Sequence, residues 1–98
     1  MQRRYHFTVD DKDWELRFTS KIPKGEYGYC TPPDSADRHI AVNSRLKTEA
    51  MFSTIVHEVV HAVNWRASEK TVEQIGSVVS ELMLRPDILE RLNLRRIK

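Results

Sequence analysis

Apolar and polar side chains alternate along two short runs near the start of the chain, which is the pattern of β-strands with one buried face. The runs cover residues 5–9 and 14–18, and the segment 10–13 between them is acidic and rich in turn formers. The second run places Trp14, Leu16 and Phe18 on one side and Glu15 and Arg17 on the other. The pattern predicts a β-hairpin whose apolar face packs against a later helix.

Prolines and glycines interrupt residues 21–38, so long regular elements are not expected there. Two short strands are still predicted. Tyr27–Cys30 form the first, and Arg38–Val42, which are largely apolar and partly β-branched, form the second. Asn43 and Ser44 follow with side chains that suit a turn into a helix.

A strongly apolar helix is predicted from Lys47 or Thr48 to Trp65. Apolar residues cover most of its circumference, which is typical of a helix that is buried on several sides. Its centre is rich in valine and isoleucine, which have low helix propensity. Tertiary packing must therefore stabilise this helix.

Two further helices are predicted after it. Ser68 suits the N-cap of the first, which continues to about Arg85. Pro86 suits the first position of a short final helix that ends near Leu94. A core-facing stripe on the longer helix is predicted from residues spaced three and four apart, which are Val72, Ile75, Val79 and Leu82.

Length and composition indicate one globular domain over residues 1–98, with 40% hydrophobic and 31% charged residues. No apolar run approaches the ~20 residues that span a bilayer, so a membrane protein is not expected. Residues 1–7 carry charge without a following apolar stretch of the kind found in secretory signals. We therefore expect a cytoplasmic protein.

Cysteine content and charge add little to this picture. Cys30 is the only cysteine, which excludes an intramolecular disulfide, and a lone thiol in a strand is more often a buried apolar residue than a ligand. The net charge is +2. Cations accumulate toward the C-terminal end, at Arg85, Arg91, Arg95, Arg96 and Lys98. Helix C-termini favour cations in any case, so nucleic-acid binding is not the expected role.

The apolar helix contains an H-E-x-x-H motif formed by His57, Glu58 and His61. Residues four apart share one face of a helix, so both imidazoles can reach one ion. Glu58 would then lie beside a bound zinc ion and could take a proton from a metal-bound water. The alternative is that both histidines are hydrogen-bonded core residues, but burying this polar set without partners would cost about 2–7 kcal/mol per group.

A catalytic zinc site needs a third protein ligand, and no histidine follows His61. The candidates are the glutamates of the next helix, Glu69, Glu73 and Glu81. Glu69 is explained by capping electrostatics at the helix entry, and Glu81 is distant along the axis. Glu73 borders the apolar stripe and is the preferred ligand. Its alternative role is a solvated carboxylate paired with a nearby cation.

These residues predict an α+β fold: an N-terminal antiparallel sheet of three or four strands, then a buried metal-binding helix, a glutamate helix and a short C-terminal helix. The H-E-x-x-H helix followed by a glutamate helix resembles the gluzincin zinc metallopeptidases. The small size is similar to that of the minigluzincins and of small phage- or prophage-encoded metallopeptidases. The resemblance covers residues 28–84 and includes the segment Ser68–Glu73. The chain lacks the Asn-Glu-x-x-x-Asp segment and the second lobe of thermolysin-like enzymes.

The resemblance implies a zincin-like fold and hydrolysis of a peptide bond in a protein or peptide substrate. Glu58 would act as general base on the water and then as general acid toward the leaving amine. An oxyanion donor would come from Tyr27, Tyr29 or His39. The strand ending at Val42 would be an exposed edge that pairs with the substrate, which makes the candidate substrate-binding residues His39, Ile40, Ala41, Val42 and Tyr29.

The leading functional prediction is therefore a zinc-dependent metallopeptidase. The alternative is a non-catalytic module in which zinc only holds the helices together and the chain binds a protein or nucleic acid. Glu58 favours catalysis, because a structural zinc site needs no carboxylate at that position.

Overall fold

A computed structural model describes residues 3–92 and shows a four-stranded sheet followed by three helices, which confirms the predicted α+β fold. The sheet has four elements: β1 (Arg3–Val9), β2 (Lys12–Thr19), β3 (Gly28–Cys30) and β4 (His39–Asn43). The helices are α1 (Thr48–Val63), α2 (Glu69–Met83) and α3 (Pro86–Arg91).

Strands β1 and β2 form the predicted hairpin, with a turn at Asp10 and Asp11. Both aspartates have positive φ angles, 51° and 63°, which fit the tight two-residue turns that match the twist of paired strands. Asp tolerates this left-handed conformation better than most residues do. Phe7 of β1 stacks on Trp14 of β2 with ring centroids 6.0 Å apart, so aromatic packing also supports this pairing.

The sheet has the order β1-β2-β4-β3, and its β2–β4 pair is parallel. It is therefore mixed, whereas a wholly antiparallel sheet was predicted. The reason is that the chain reverses twice after β2: β3 runs antiparallel to β4, and β4 enters between β3 and β2. This order leaves β1 and β3 as the edges of the sheet.

The main core lies between one face of the sheet and helix α1. Its buried members are Trp14, Ile40, Val42 and Ala62, and Leu16 and Phe18 pack against them. The predicted apolar side of β2 therefore faces the core. The most buried line along α1 comprises residues four apart, namely Thr54, Glu58 and Ala62. The carboxylate of Glu58 thus lies on the side of α1 that faces the sheet.

Helix α2 packs on α1 through Val72, the first residue of the predicted apolar stripe, and through two small residues outside that stripe. Its buried residues are Val72, Gly76 and Ser80. Ile75 and Leu82, which were predicted to face the core, remain 38% and 49% exposed. The reason is close helix packing: a Cβ atom at Gly76 would lie only 3.2 Å from the Ser53 carbonyl oxygen, so this face has no room for larger side chains.

The predicted helix starts are confirmed. The Ser68 side chain accepts a hydrogen bond of 3.2 Å from the Thr71 amide, and Pro86 occupies the first turn of α3. The predicted end of α3 near Leu94, and the basic residues Arg95, Arg96 and Lys98, lie outside the described residues. Within residues 3–92, no helix has both the length and the apolar character needed to cross a lipid bilayer.

Candidate metal centre

Helix α1 places the two motif histidines side by side near its C-terminal end. The ring centroids of His57 and His61 lie 5.1 Å apart, as expected for residues one turn apart on a helix. Their side chains are 25% and 13% exposed, so both are largely shielded but reachable from one side. The predicted pairing of these two imidazoles is therefore present.

A carboxylate from α2 faces both imidazoles, and it belongs to Glu69. Its Oε1 atom lies 2.8 Å from Nε2 of His61, and its Oε2 atom lies 3.4 Å from Nε2 of His57. Among residues 3–92, these three side chains form the one group of potential metal ligands whose donor atoms all lie within 4.8 Å of one another. Two imidazoles and one carboxylate are the donor set of a His₂Glu catalytic zinc site, so the residues fit zinc.

Glu73, the ligand preferred from the sequence, is not a member of this group, and the carboxylate that lies beside the histidines is that of the alternative candidate Glu69. The segment between α1 and α2 is only five residues long, so the start of α2 lies beside the end of α1. Glu73 lies one turn further on, roughly 6 Å along the axis. There it faces Ser53 and Thr54 on the preceding turn of α1. Glu81, the other alternative, lines a separate cavity with Leu84 and Arg85.

Glu58 lies beside this group and is only 7% exposed. No hydrogen bond or ion pair holds its carboxylate within the described part of the chain. Burial raises the pKa of Glu58 to about 7, and the negative charges of Glu69 and Glu26 add to the effect. Burial likewise raises the pKa of Cys30 to about 12, with a contribution from Glu58, so this thiol stays protonated at neutral pH.

Two neighbouring cavities open onto Glu58. The first, of about 480 Å³, is lined by the histidines and Glu69 on one side and by β3 on the other. The second, of about 330 Å³, extends from His57 toward Glu73 and Ser77. Both volumes fall in the range of ligand pockets, roughly 300–1,000 Å³. A substrate could therefore approach the metal group and Glu58 together.

The prediction that β4 offers an exposed edge is wrong. Strand β4 pairs with β2 on one side and with β3 on the other, so it has no free edge. Its side chains are also buried: Ile40 and Val42 are 0% exposed, Ala41 1% and His39 9%. These four residues form the middle of the sheet and cannot contact a substrate strand.

The edge beside the cavities is β3. The Asn43 amide donates to the Tyr27 carbonyl at 2.8 Å, and the Thr31 amide donates to the His39 carbonyl at 3.0 Å. Bonded residues alternate along an antiparallel strand, so the amide and carbonyl groups of Gly28 and Cys30 point away from β4. Those groups are available to an additional strand.

Tyr29 lines the first cavity together with the histidines and Glu69, but its hydroxyl group lies beside His39. The Tyr29 hydroxyl lies 3.1 Å from Nε2 of His39, whose Nδ1 lies 3.0 Å from the Asp37 carbonyl oxygen. Side chains alternate along a strand, and Gly28 faces α1, so Tyr29 extends from the opposite face of the sheet. Tyr27, the third candidate, borders the second cavity.

Glu26 is a site residue that the sequence did not indicate. It precedes β3 and lines both cavities, although it is distant from the H-E-x-x-H motif along the chain. No periodicity or spacing marks a loop carboxylate of this kind. Its position depends on the pairing of β3 with β4, which local patterns do not reveal.

Gly28 fixes the separation between β3 and α1. A Cβ atom at this position would lie 2.5 Å from the Ala41 carbonyl oxygen and 3.0 Å from Cγ2 of Thr54. We therefore expect Gly28→Ala to destabilise the protein by about 1–3 kcal/mol and to displace the β3 edge. Chemical denaturation measures the loss. Gly25→Ala is a poor control because φ there is 87°, so Ser35→Ala, in the loop between β3 and β4, is the better comparison. Equal stability of Gly28→Ala and Ser35→Ala would refute the expectation.

Comparison of the chain with models of known protein families, with curated proteins and with solved structures gives no match.

Proposed function

We propose that the protein is a zinc-dependent metallopeptidase in which His57, His61 and Glu69 bind the metal and Glu58 transfers protons. The observation that carries the proposal is the convergence of three zinc-type donors beside a buried carboxylate that has no partner of its own within residues 3–92. A purely structural zinc site would gain nothing from a carboxylate at that position.

When bound, zinc would act as a Lewis acid toward the water and the substrate carbonyl. Glu58 accepts a proton from the attacking water as the new carbon–oxygen bond forms. It then delivers that proton to the leaving nitrogen as the carbon–nitrogen bond breaks. The cycle thus returns Glu58 to its starting charge and consumes one water for each peptide bond.

The substrate chain would lie along β3. The outward-facing amide and carbonyl groups of Gly28 and Cys30 can pair with an extended peptide in the way that edge strands accept added strands. The peptide would then lie beside the free edge of β3, next to the residues of β3 that line both cavities. Strand β3, rather than β4 as the sequence suggested, would therefore pair with the substrate. A cytoplasmic location belongs to the same proposal.

Metal-dependent proteolysis tests the proposal. Purified protein is expected to bind one zinc ion by elemental analysis and to cleave members of a peptide library. A chelator should abolish cleavage, and added zinc should restore it. Zinc uptake without cleavage of any peptide would instead favour the module in which zinc only stabilises the helices. Absence of zinc uptake would remove both interpretations.

A further inference from the structure

Strand β1 forms the longer of the two sheet edges. All seven of its residues, Arg3–Val9, pair with β2 in continuous register, so the strand contains no bulge. Within residues 3–92, no backbone hydrogen bond from a loop, a helix or another strand reaches its outer side. Soluble proteins usually protect such an edge with a proline, a bulge or a covering segment, and β1 has neither proline nor bulge. An edge of this length and regularity is suited to pairing with another strand.

The hairpin of β1 and β2 determines which groups this edge presents. In a two-residue hairpin the residues that flank the turn form a hydrogen-bonded pair, which here is Val9 with Lys12. Bonded residues alternate along an antiparallel strand, so Phe7 also bonds to β2. The amide and carbonyl groups of His6 and Thr8 therefore point away from β2.

An apolar strip runs along the same edge. Tyr5, Phe7 and Val9 share the face of β1 that lies on the helix side of the sheet, since Tyr5 and Phe7 pair with the core residues Leu16 and Trp14. Helix α1 has its main sheet contacts with β3 and β4, which β2 separates from β1. Tyr5 is consequently 49% exposed, and Phe7 and Val9 are only partly buried. A strand added at this edge would cover apolar surface as well as bond to backbone groups.

Charge is distributed unequally along β1. Arg3 and Arg4 lie at its start, whereas residues 10–13, which follow it, comprise three aspartates and one lysine. When two copies of such a strand pair antiparallel, the basic start of each lies beside the acidic turn of the other. Parallel pairing would instead place like charges together, which is destabilising. The strand is thus complementary in charge to an antiparallel copy of itself.

We propose that β1 is a self-association edge, along which two copies of the chain pair antiparallel about a two-fold axis through His6. In this register the outward backbone groups of His6 in the two copies bond to each other. Tyr5 of each copy lies opposite Phe7 of the other, and aromatic pairs of this kind stabilise adjacent strands. Arg3 of each copy approaches Asp10 of the other. The two sheets join into one, and the metal centre, beside the opposite edge β3, stays accessible.

Sedimentation equilibrium over a micromolar range of protein concentrations tests the association. We expect wild-type protein to approach twice the monomer mass of 11.5 kDa. His6→Pro should raise the dissociation constant by at least about tenfold, because two backbone hydrogen bonds on the axis are lost. Proline is tolerated in an edge strand where its nitrogen faces solvent, so circular dichroism should show an unchanged fold. His6→Ala keeps the backbone amide and should associate like wild type.

Cysteine cross-linking tests the register without relying on the proline variant. In the proposed dimer the two His6 Cα atoms lie about 5.5 Å apart, within disulfide range, whereas the two Thr8 Cα atoms lie roughly 14 Å apart along the strands. Mild oxidation should therefore link His6→Cys into covalent dimers and leave Thr8→Cys largely monomeric. Wild-type protein controls for the native Cys30.

Three results would each overturn the proposal. The first is a monomeric mass for wild-type protein at every concentration. The second is equal cross-linking of His6→Cys and Thr8→Cys, which indicates random collision. The third is association of folded His6→Pro with wild-type affinity.

Discussion

Replacing Glu58 with glutamine is expected to lower kcat for peptide hydrolysis by about 10²–10⁴-fold while zinc remains bound. Glutamine keeps the size of the side chain but cannot accept a proton at neutral pH. The metal should be retained because the nearby donor atoms belong to His57, His61 and Glu69, and Glu58 is not among them. The loss should appear in kcat because the proton transfers occur during bond making and breaking.

The measurement is single-turnover cleavage of a chromogenic peptide, with zinc content determined for each sample. Glu49→Gln supplies a matched control, because Glu49 lies on the exposed first turn of the same helix. We expect that control to retain wild-type kcat. If Glu58→Gln keeps kcat within a few-fold of wild type, the carboxylate does not transfer protons. If Glu58→Gln instead loses zinc, its carboxylate contributes to the metal site directly.

Replacing Glu69 with glutamine is expected to weaken zinc binding by at least about 100-fold, since even outer partners of zinc ligands typically contribute 10- to 100-fold. Its carboxylate faces both histidines, at 2.8 and 3.4 Å, and supplies the anionic donor of the group. Glu73→Gln is the matched comparison on the same helix, one turn away. It should change zinc affinity by less than about threefold, because that side chain faces the second cavity.

Competition with a chromophoric chelator at constant pH measures both affinities. His61→Ala provides the reference for loss of a ligand, and Glu81→Gln the reference for an uninvolved glutamate of α2. Equal losses in Glu69→Gln and Glu73→Gln would show that neither carboxylate is a specific ligand. A larger loss in Glu73→Gln would restore the assignment that the sequence favoured, and would require α2 to shift along α1 when metal binds.

The elements of the fold could be predicted because their signals are local. Alternation of apolar residues identifies the hairpin, Ser68 marks the start of α2, and Pro86 marks the start of α3. The spacing of His57 and His61 similarly predicts that their imidazoles lie together, since a helix brings residues four apart onto one face wherever it lies.

The arrangement of these elements could not be predicted, because it depends on long-range pairing. The apolar strand β4 has the composition of a buried strand, but nothing in its own residues shows that it enters between β2 and β3. The residues of β4 would be equally compatible with an edge strand packed beside a helix. The exposed edge belongs instead to the three-residue strand β3, whose Gly28 tolerates the close approach of α1.

The sequence did not favour Glu69 as the carboxylate beside the histidines, nor the small residues of the helix interface, for a related reason. Glu69 lies in the first turn of α2, where a carboxylate is expected for electrostatic reasons alone, so its sequence position does not distinguish it as a candidate ligand. On the packed side of α2, Gly76 and Ser80 allow a close approach that hydrophobic periodicity does not detect. That close packing sets the register that brings Glu69, and not Glu73, to the histidines.

Anomalous X-ray diffraction at the zinc edge, on crystals of the zinc-loaded protein, tests the metal centre most directly. The account predicts one strong peak about 2.0–2.2 Å from Nε2 of His57, Nε2 of His61 and a carboxylate oxygen of Glu69. Glu58 should lie near the peak without coordinating it. A peak coordinated by Glu73 in place of Glu69, or no peak at the histidines, would contradict the account.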